Sequence, residues 1–333
     1  MPNWNFIPAL ALVVGFLAPT GTMAQESPSP WSLVETVGRP NARHEAAFVV
    51  VGDRFYLLGG RGIKPVDIYD PSTKAWSEGP EPPIEVHHFQ PVVITDEIWL
   101  AGAMTGPYPR ETALERILIF DTKAGAWRWG PEIPKGRRRG GAGAILHDGS
   151  LYLACGIQNG HWDGWVPWLD RFDLESQQWT RLPDAPRSRD HFQLVALDDQ
   201  LVLAGGRRTS GVTGEVFELT IPEVDVYQVK DMDWTTLPGP QGHLPTPRAG
   251  GFNIVVDSEV WALGGESGTQ GEAHDEVEAL DLDSGSWRVV NRLLQGRHGT
   301  GALRHAGGLY VCSGCGRRGG SPELETMERM TLD

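Results

Sequence analysis

Three cysteines in 333 residues cannot build a disulfide-stapled scaffold, and they leave no second pair for a four-thiolate metal site. Positive charge is also scarce. Against 43 Asp and Glu stand only 29 Lys and Arg, a formal net charge of -14, which excludes the phosphate-neutralising surface of general nucleic-acid binding. Long apolar runs are missing except for Phe6 to Ala18, which is short for a bilayer span. The small residues of Thr22-Met23-Ala24 follow it as a signal-peptidase site would, so 1–24 reads as a signal peptide and the remainder as secreted or periplasmic, with no membrane insertion after cleavage. An uncleaved anchor is the competing reading, because no Lys or Arg precedes the apolar run.

What is abundant points to strands and turns. Forty-two Gly, 25 Pro and 13 Trp suit many short strands better than helices. Arg189 to Arg207, reading RDHFQLVALDDQLVLAGGR, contains two apolar strands joined at Asp198-Asp199 and stopped by Gly205-Gly206, where a side chain would obstruct close backbone packing. This hairpin recurs with identical internal spacing at Arg43 to Gly60, Val86 to Ala103, Arg139 to Gly156, Arg248 to Gly265 and Arg297 to Gly314. A third strand follows each copy, as in Val66 to Asp70 or Ile117 to Asp121. A fourth carries Trp76, Trp127, Trp179, Trp234 or Trp287, at separations of 51, 52, 55 and 53 residues.

The di-glycine, the third-strand aromatic and the spaced tryptophan resemble kelch repeats over about residues 31 to 333. The resemblance implies an all-β, six-bladed β-propeller with four-stranded antiparallel blades around a central channel. Its blades fall at about 43–80, 86–131, 137–183, 187–238, 246–291 and 297–333 of a domain spanning 25–333. The sixth repeat stops before its tryptophan strand, while Trp31-Ser32-Leu33-Val34 stands ahead of the first with no blade of its own. The N-terminal strand, 31–36, is therefore expected to close blade six and leave no open edge there. A monomer is expected.

In kelch blades the start of strand one and the loop after the glycine pair open at one channel mouth, so candidate site residues can be read from the frame. Arg43, Arg139, Arg189, Arg248 and Arg297 open five hairpins, with Val86 in the second. They serve either blade junctions or an electropositive mouth. Two residues on, strand alternation points Glu45, His88, Gly141, His191, Gly250 and Gly299 the same way. After the glycine pairs come Arg61, Met104, Ile157, Arg207, Glu266 and Cys315. The blade-three loop His161-Trp162-Asp163-Gly164-Trp165-Val166-Pro167-Trp168 adds indoles suited to sugar faces or cations.

From these residues the expected ligand is a small anion or carbohydrate, or an acidic protein partner, held by Arg61, Arg189, Arg207, Trp162, Asp163, Trp165 and Glu266. Animal kelch domains that bind acidic peptides place arginines after the glycine pair, matched by Arg61 and Arg207, and also at the inner position, where this chain has histidine or glycine. The chain is also similar in size, export and blade count to bacterial N-acetylneuraminate epimerases. That resemblance implies a mutarotase on a carboxylated sugar, for which His191, His88, Glu45 and Asp190 are the available acids and bases.

No cofactor is predicted. A second alternative is a metal-dependent enzyme whose site draws on His44, His87, His88, His191 and His298. A galactose-oxidase-like copper site is disfavoured, since that resemblance implies seven blades and a cysteine-crosslinked tyrosine. Cys312 and Cys315, a C-x-x-C pair, and the lone Cys155 read as a disulfide or as quiet buried thiols.

Overall fold

Among the described residues, six four-stranded antiparallel sheets account for nearly all the regular structure, and a short two-stranded ribbon, Met104–Thr105 with Thr112–Ala113, is the remaining sheet. The computed structural model describes residues 1–3 and 29–332, so residues 4–24 of the expected signal peptide lie outside the described residues. Blade four shows the plan. Leu194–Leu197 pairs with Gln200–Leu203, then Asp225–Gln228 and Asp233–Thr236 follow outward, each strand hydrogen-bonded to the one before it. Its hairpin turns at Asp198, whose φ of 51° lies in the left-handed region that Asp tolerates.

The ring is closed by the N-terminus. Trp31–Leu33 pairs antiparallel with Met327–Thr331 as the outermost strand of the last blade, whose inner strands are Ala302–His305 and Gly308–Cys312. Trp31 also takes the role of the missing sixth tryptophan. Trp127, Trp179, Trp234 and Trp287 each donate an indole N–H to a carbonyl at the outer end of the preceding blade, namely Pro80, Glu132, Pro183 and Gly242. Trp31 donates in the same direction, to Asn291 of blade five, at 2.8 Å.

Apolar burial follows the same circular logic. Six core clusters occur among the described residues, one at each blade junction. Phe48, Phe55, Leu303 and Met327 form the one between blades one and six. Blade junctions are also stitched through the di-glycines: the Gly206 N–H donates to the carbonyl of Arg248 in the next blade at 2.9 Å, and a Cβ on Gly206 would meet the Asp190 carbonyl at 3.0 Å. Three buried free thiols complete the interior, with no disulfide among the described residues. Burial pushes Cys155 and Cys312 up to about 12, which makes them inert.

The five opening arginines are structural. Each is buried and paired within its own blade to an acid on the third strand: Arg43 with Asp67, Arg139 with Asp170, Arg189 with Asp225, Arg248 with Glu278, and Arg297 with Glu328. Blade two lacks both partners together. Val86 stands at the arginine position and Leu118 at the acid position, both fully buried in one apolar cluster. The inclusion of Arg189 among ligand-binding residues is therefore corrected, because its guanidinium is spent on Asp225 and on the carbonyls of Leu203, Gly205 and Glu223.

Candidate functional site

One closed ring of backbone hydrogen bonds crosses the channel at the mouth. Glu45, His88, Gly141, His191, Gly250 and Gly299 occupy the same position in the six blades, and all have φ between 54° and 66°. The N–H groups of His88, Gly141, His191, Gly250 and Gly299 each donate to the carbonyl of the preceding member, and Ala46 N–H donates to Gly299 to close the circle. These residues stand before the inner strands, in left-handed turns, so strand alternation is not what aims them. Three are glycine, as the conformation favours. The other three, Glu45, His88 and His191, hold side chains in a region that costs about 1–2 kcal/mol per residue, a strain that clusters at functional positions.

Side chains delivered by neighbouring loops complete the mouth. Residues preceding the ring bridge to those following the glycine pairs, as in His87 with Met104, Asp190 with Arg207, Ala249 with Glu266 and His298 with Cys315, which confirms that both segments open on one face. A cavity of about 530 Å3 lies there, lined by His44, Glu45, Arg61, Tyr108, His161, Arg207, Phe217, Glu266 and His298 among others. A smaller void of about 50 Å3, lined by the ring residues and those just after them, continues into the channel.

The charges of the mouth are already paired. Arg61 donates to Glu45 at 2.6 Å and to Glu111, while Arg207 donates to Glu266 at 2.6 Å and to Thr209. Two guanidiniums, Arg61 and Arg207, face three carboxylates, Glu45, Glu85 and Glu266, along the cavity wall. The expected electropositive face is neutralised.

Three imidazoles converge beside these pairs. The ring centroids of His88, His161 and His191 stand 4.8 Å apart in every pairing. Each has a carboxylate close by: Glu45 Oε1 lies 2.7 Å from His88 Nε2, Glu111 Oε1 2.9 Å from His161 Nδ1, and Asp190 Oδ1 2.5 Å from His191 Nδ1. His87 Nδ1 adds a contact at 2.7 Å to His88 Nδ1.

No family model matches the chain. The kelch-like protein terF of Aspergillus terreus is 26% identical over 312 residues, covering 86% of this chain and 65% of that protein. Kelch domain-containing protein 8B of Bos taurus is 28% identical over 175 residues, half of this chain and 45% of that one. The chain thus spans less than two thirds of the length of these relatives. Among solved structures, the one titled "Structure of YjhT" superposes with a TM-score of 0.71 at 15% identity, over 87% of this chain and 95% of the other.

This chain is a kelch-repeat propeller.

The kelch mouth sets its own ionisation. Burial works to raise Glu45, but His88, His44 and Arg61 outweigh it and hold the carboxylate well below its usual range. Burial likewise opposes charge on Glu266, and His298 and Arg207 bring it down to about 2. Burial lowers His88 well below the ordinary histidine value and lowers His191 too.

Of the residues expected at the site, Glu45, His88, His191 and Asp190 do come together, and Arg61, Arg207 and Glu266 line the cavity. The aromatic loop packs elsewhere. Trp162 lies under Arg110 at 3.9 Å, Asp163 accepts from Asn159, and the half-exposed Trp165 faces Arg208 at 5.6 Å; none of the three lines the mouth cavity. The five histidines expected as a metal set divide. His44 and His298 face each other at 6.3 Å across the other side of the mouth, His44 bonded to Glu323 and His298 to the carbonyls of Arg317 and Gly319. His161 and Glu111 are the functional residues that the repeat frame misses, because they sit in loops of unequal length. Their fit is nevertheless specific: Gly160 leaves room for Glu111, whose carboxylate would lie 2.2 Å from a Cβ there.

Proposed function

We propose that the mouth cavity binds a small hydroxyl-rich ligand, a carbohydrate of one or two rings, rather than an anion. The observation that carries this reading is that Arg61 and Arg207 are already ion-paired to Glu45, Glu111 and Glu266, so the wall offers alternating fixed donors and acceptors without net positive charge. A cavity of about 530 Å3 suits that size. Tyr108, 59% exposed and 5.1 Å from the His161 ring, supplies the flat apolar face that sugars stack on.

Isothermal titration of neutral mono- and disaccharides against their uronate and sialate counterparts, at two ionic strengths, tests it. Neutral sugars are expected to bind at least as well as acidic ones, with little salt dependence, and Tyr108→Ala to weaken them about tenfold. Affinity that vanishes with the ligand's carboxylate or falls steeply with salt restores the anionic reading; no binding by any of them rejects the carbohydrate.

A second reading, sugar mutarotation, is favoured by the three histidine–carboxylate pairs at the mouth, since ring opening needs a placed acid and base. Exchange spectroscopy of sugar anomers with and without the protein decides it. We further infer export, with a mature chain beginning at Gln25, which N-terminal sequencing of material from outside the cytoplasm checks.

A further inference from the structure

We propose that His88, His161 and His191 form a binding site for one divalent transition-metal ion, of the zinc and copper class, at the floor of the mouth. Their candidate ligand atoms lie within 4.8 Å of one another. An ion with bonds of about 2.0–2.1 Å in tetrahedral geometry needs its nitrogens about 3.3 Å apart, a contraction within reach of small ring rotations.

Four independent features support the assignment. The Nδ1 atoms of His161 and His191 are each committed to a carboxylate, which fixes the tautomer and leaves Nε2 as a free lone pair, the arrangement that orients metal-ligating histidines. His88 Nε2 and His191 Nε2 are buried with no hydrogen-bond partner, the 2.7 Å contact of the former with Glu45 Oε1 not having hydrogen-bond geometry. A buried polar nitrogen normally has a partner, and an ion would supply one to both. His88 and His191 stand in left-handed backbone where three other blades have glycine, so the imidazoles are placed there against local preference. Last, the donors are imidazoles with no thiolate among them, which selects zinc, copper or nickel over magnesium or calcium.

The position of the trio leaves coordination open. His161 lines the mouth cavity and His88 and His191 line the void beneath it, so an ion there stands where the two meet, with Glu45 bordering both. The inference shares its location with the carbohydrate reading but needs no ligand.

The test uses the full chain, stripped with a chelator and titrated with Co(II) alone, then displaced by Zn(II). The wild type is expected to take up one equivalent with the visible absorption of low-symmetry Co(II). His88→Gly and His161→Ala are each expected to lose at least tenfold in affinity, and Glu111→Gln about 10- to 100-fold. His243→Ala serves as an unaffected control. His88→Gly keeps the fold because Gly141, Gly250 and Gly299 already occupy the equivalent positions, and circular dichroism verifies it. Substoichiometric uptake by the wild type, or one full equivalent retained at unchanged affinity by a His88→Gly/His191→Gly double variant, overturns the proposal. Sugar binding by metal-free protein that takes up no cobalt overturns this site and leaves the carbohydrate reading standing; cobalt uptake without sugar binding does the reverse.

Discussion

Replacing Arg248 by valine should cost more than replacing Arg248 and Glu278 together. In the native blade the Arg248 guanidinium meets Glu278 at 2.5 Å and donates to the carbonyls of Gly264, Thr246 and Ala262. Arg248→Val strands Glu278, 1% exposed, as a buried charge whose remaining side-chain donor is Thr246. Breaking a buried pair by removing one partner costs about 3–5 kcal/mol, which for a domain of this size lowers the melting temperature by about 5 to 10 °C. Adding Glu278→Leu reproduces the Val86 and Leu118 pairing of blade two, an arrangement this propeller already accommodates. The double variant should recover at least half of the loss, the rest being the three carbonyls left without a donor. Calorimetry and urea denaturation of the wild type, both single variants and the double variant give the coupling directly. A double variant no more stable than Arg248→Val would refute the argument that the buried charge, rather than the carbonyl bonds, dominates the staple.

Two further outcomes follow from the mouth. Gly299→Ala should be more destabilising than Gly250→Ala by at least about 1 kcal/mol: both require a left-handed alanine, but only at 299 does the new Cβ lie 2.7 Å from a backbone nitrogen, that of Glu45, against 3.5 Å from the His298 ring at 250. Equal losses in urea would show that the hydrogen-bonded ring can yield at that point. Glu266, held at about 2 in the fold against an ordinary value of 4.5, binds its proton less readily folded than unfolded. It therefore contributes about 3 kcal/mol above pH 4.5, and that contribution is lost as the pH falls from 4.5 towards 2. Glu266→Gln should flatten this acid limb of stability by about one proton, and an unchanged slope would count against the Arg207 pairing.

Much of the architecture was legible in the residue order because a propeller repeats one frame. The spacing from Arg189 to Gly206 fixes a hairpin, its recurrence fixes six of them, and the isolated Trp31 announces the strand that closes blade six. The frame also exposed the ring position, where Glu45, His88 and His191 replace the glycines found at 141, 250 and 299. It could not say what the opening arginines do, since one guanidinium serves a ligand or a third-strand acid equally well until the partner at Asp225 or Glu278 is seen.

The sequence by itself determined the count of blades and their closure, because those depend on local pattern and on a period, and its resemblance to kelch repeats implied the face on which the mouth opens. Only the tertiary structure decided that Arg61 and Arg207 are neutralised, that Trp162 and Trp165 face away from the cavity, and that His161 and Glu111 join His88 and His191. Those outcomes depend on where loops of unequal length fold back across the ring, and no spacing along the chain encodes the distance between the tips of two loops from different blades.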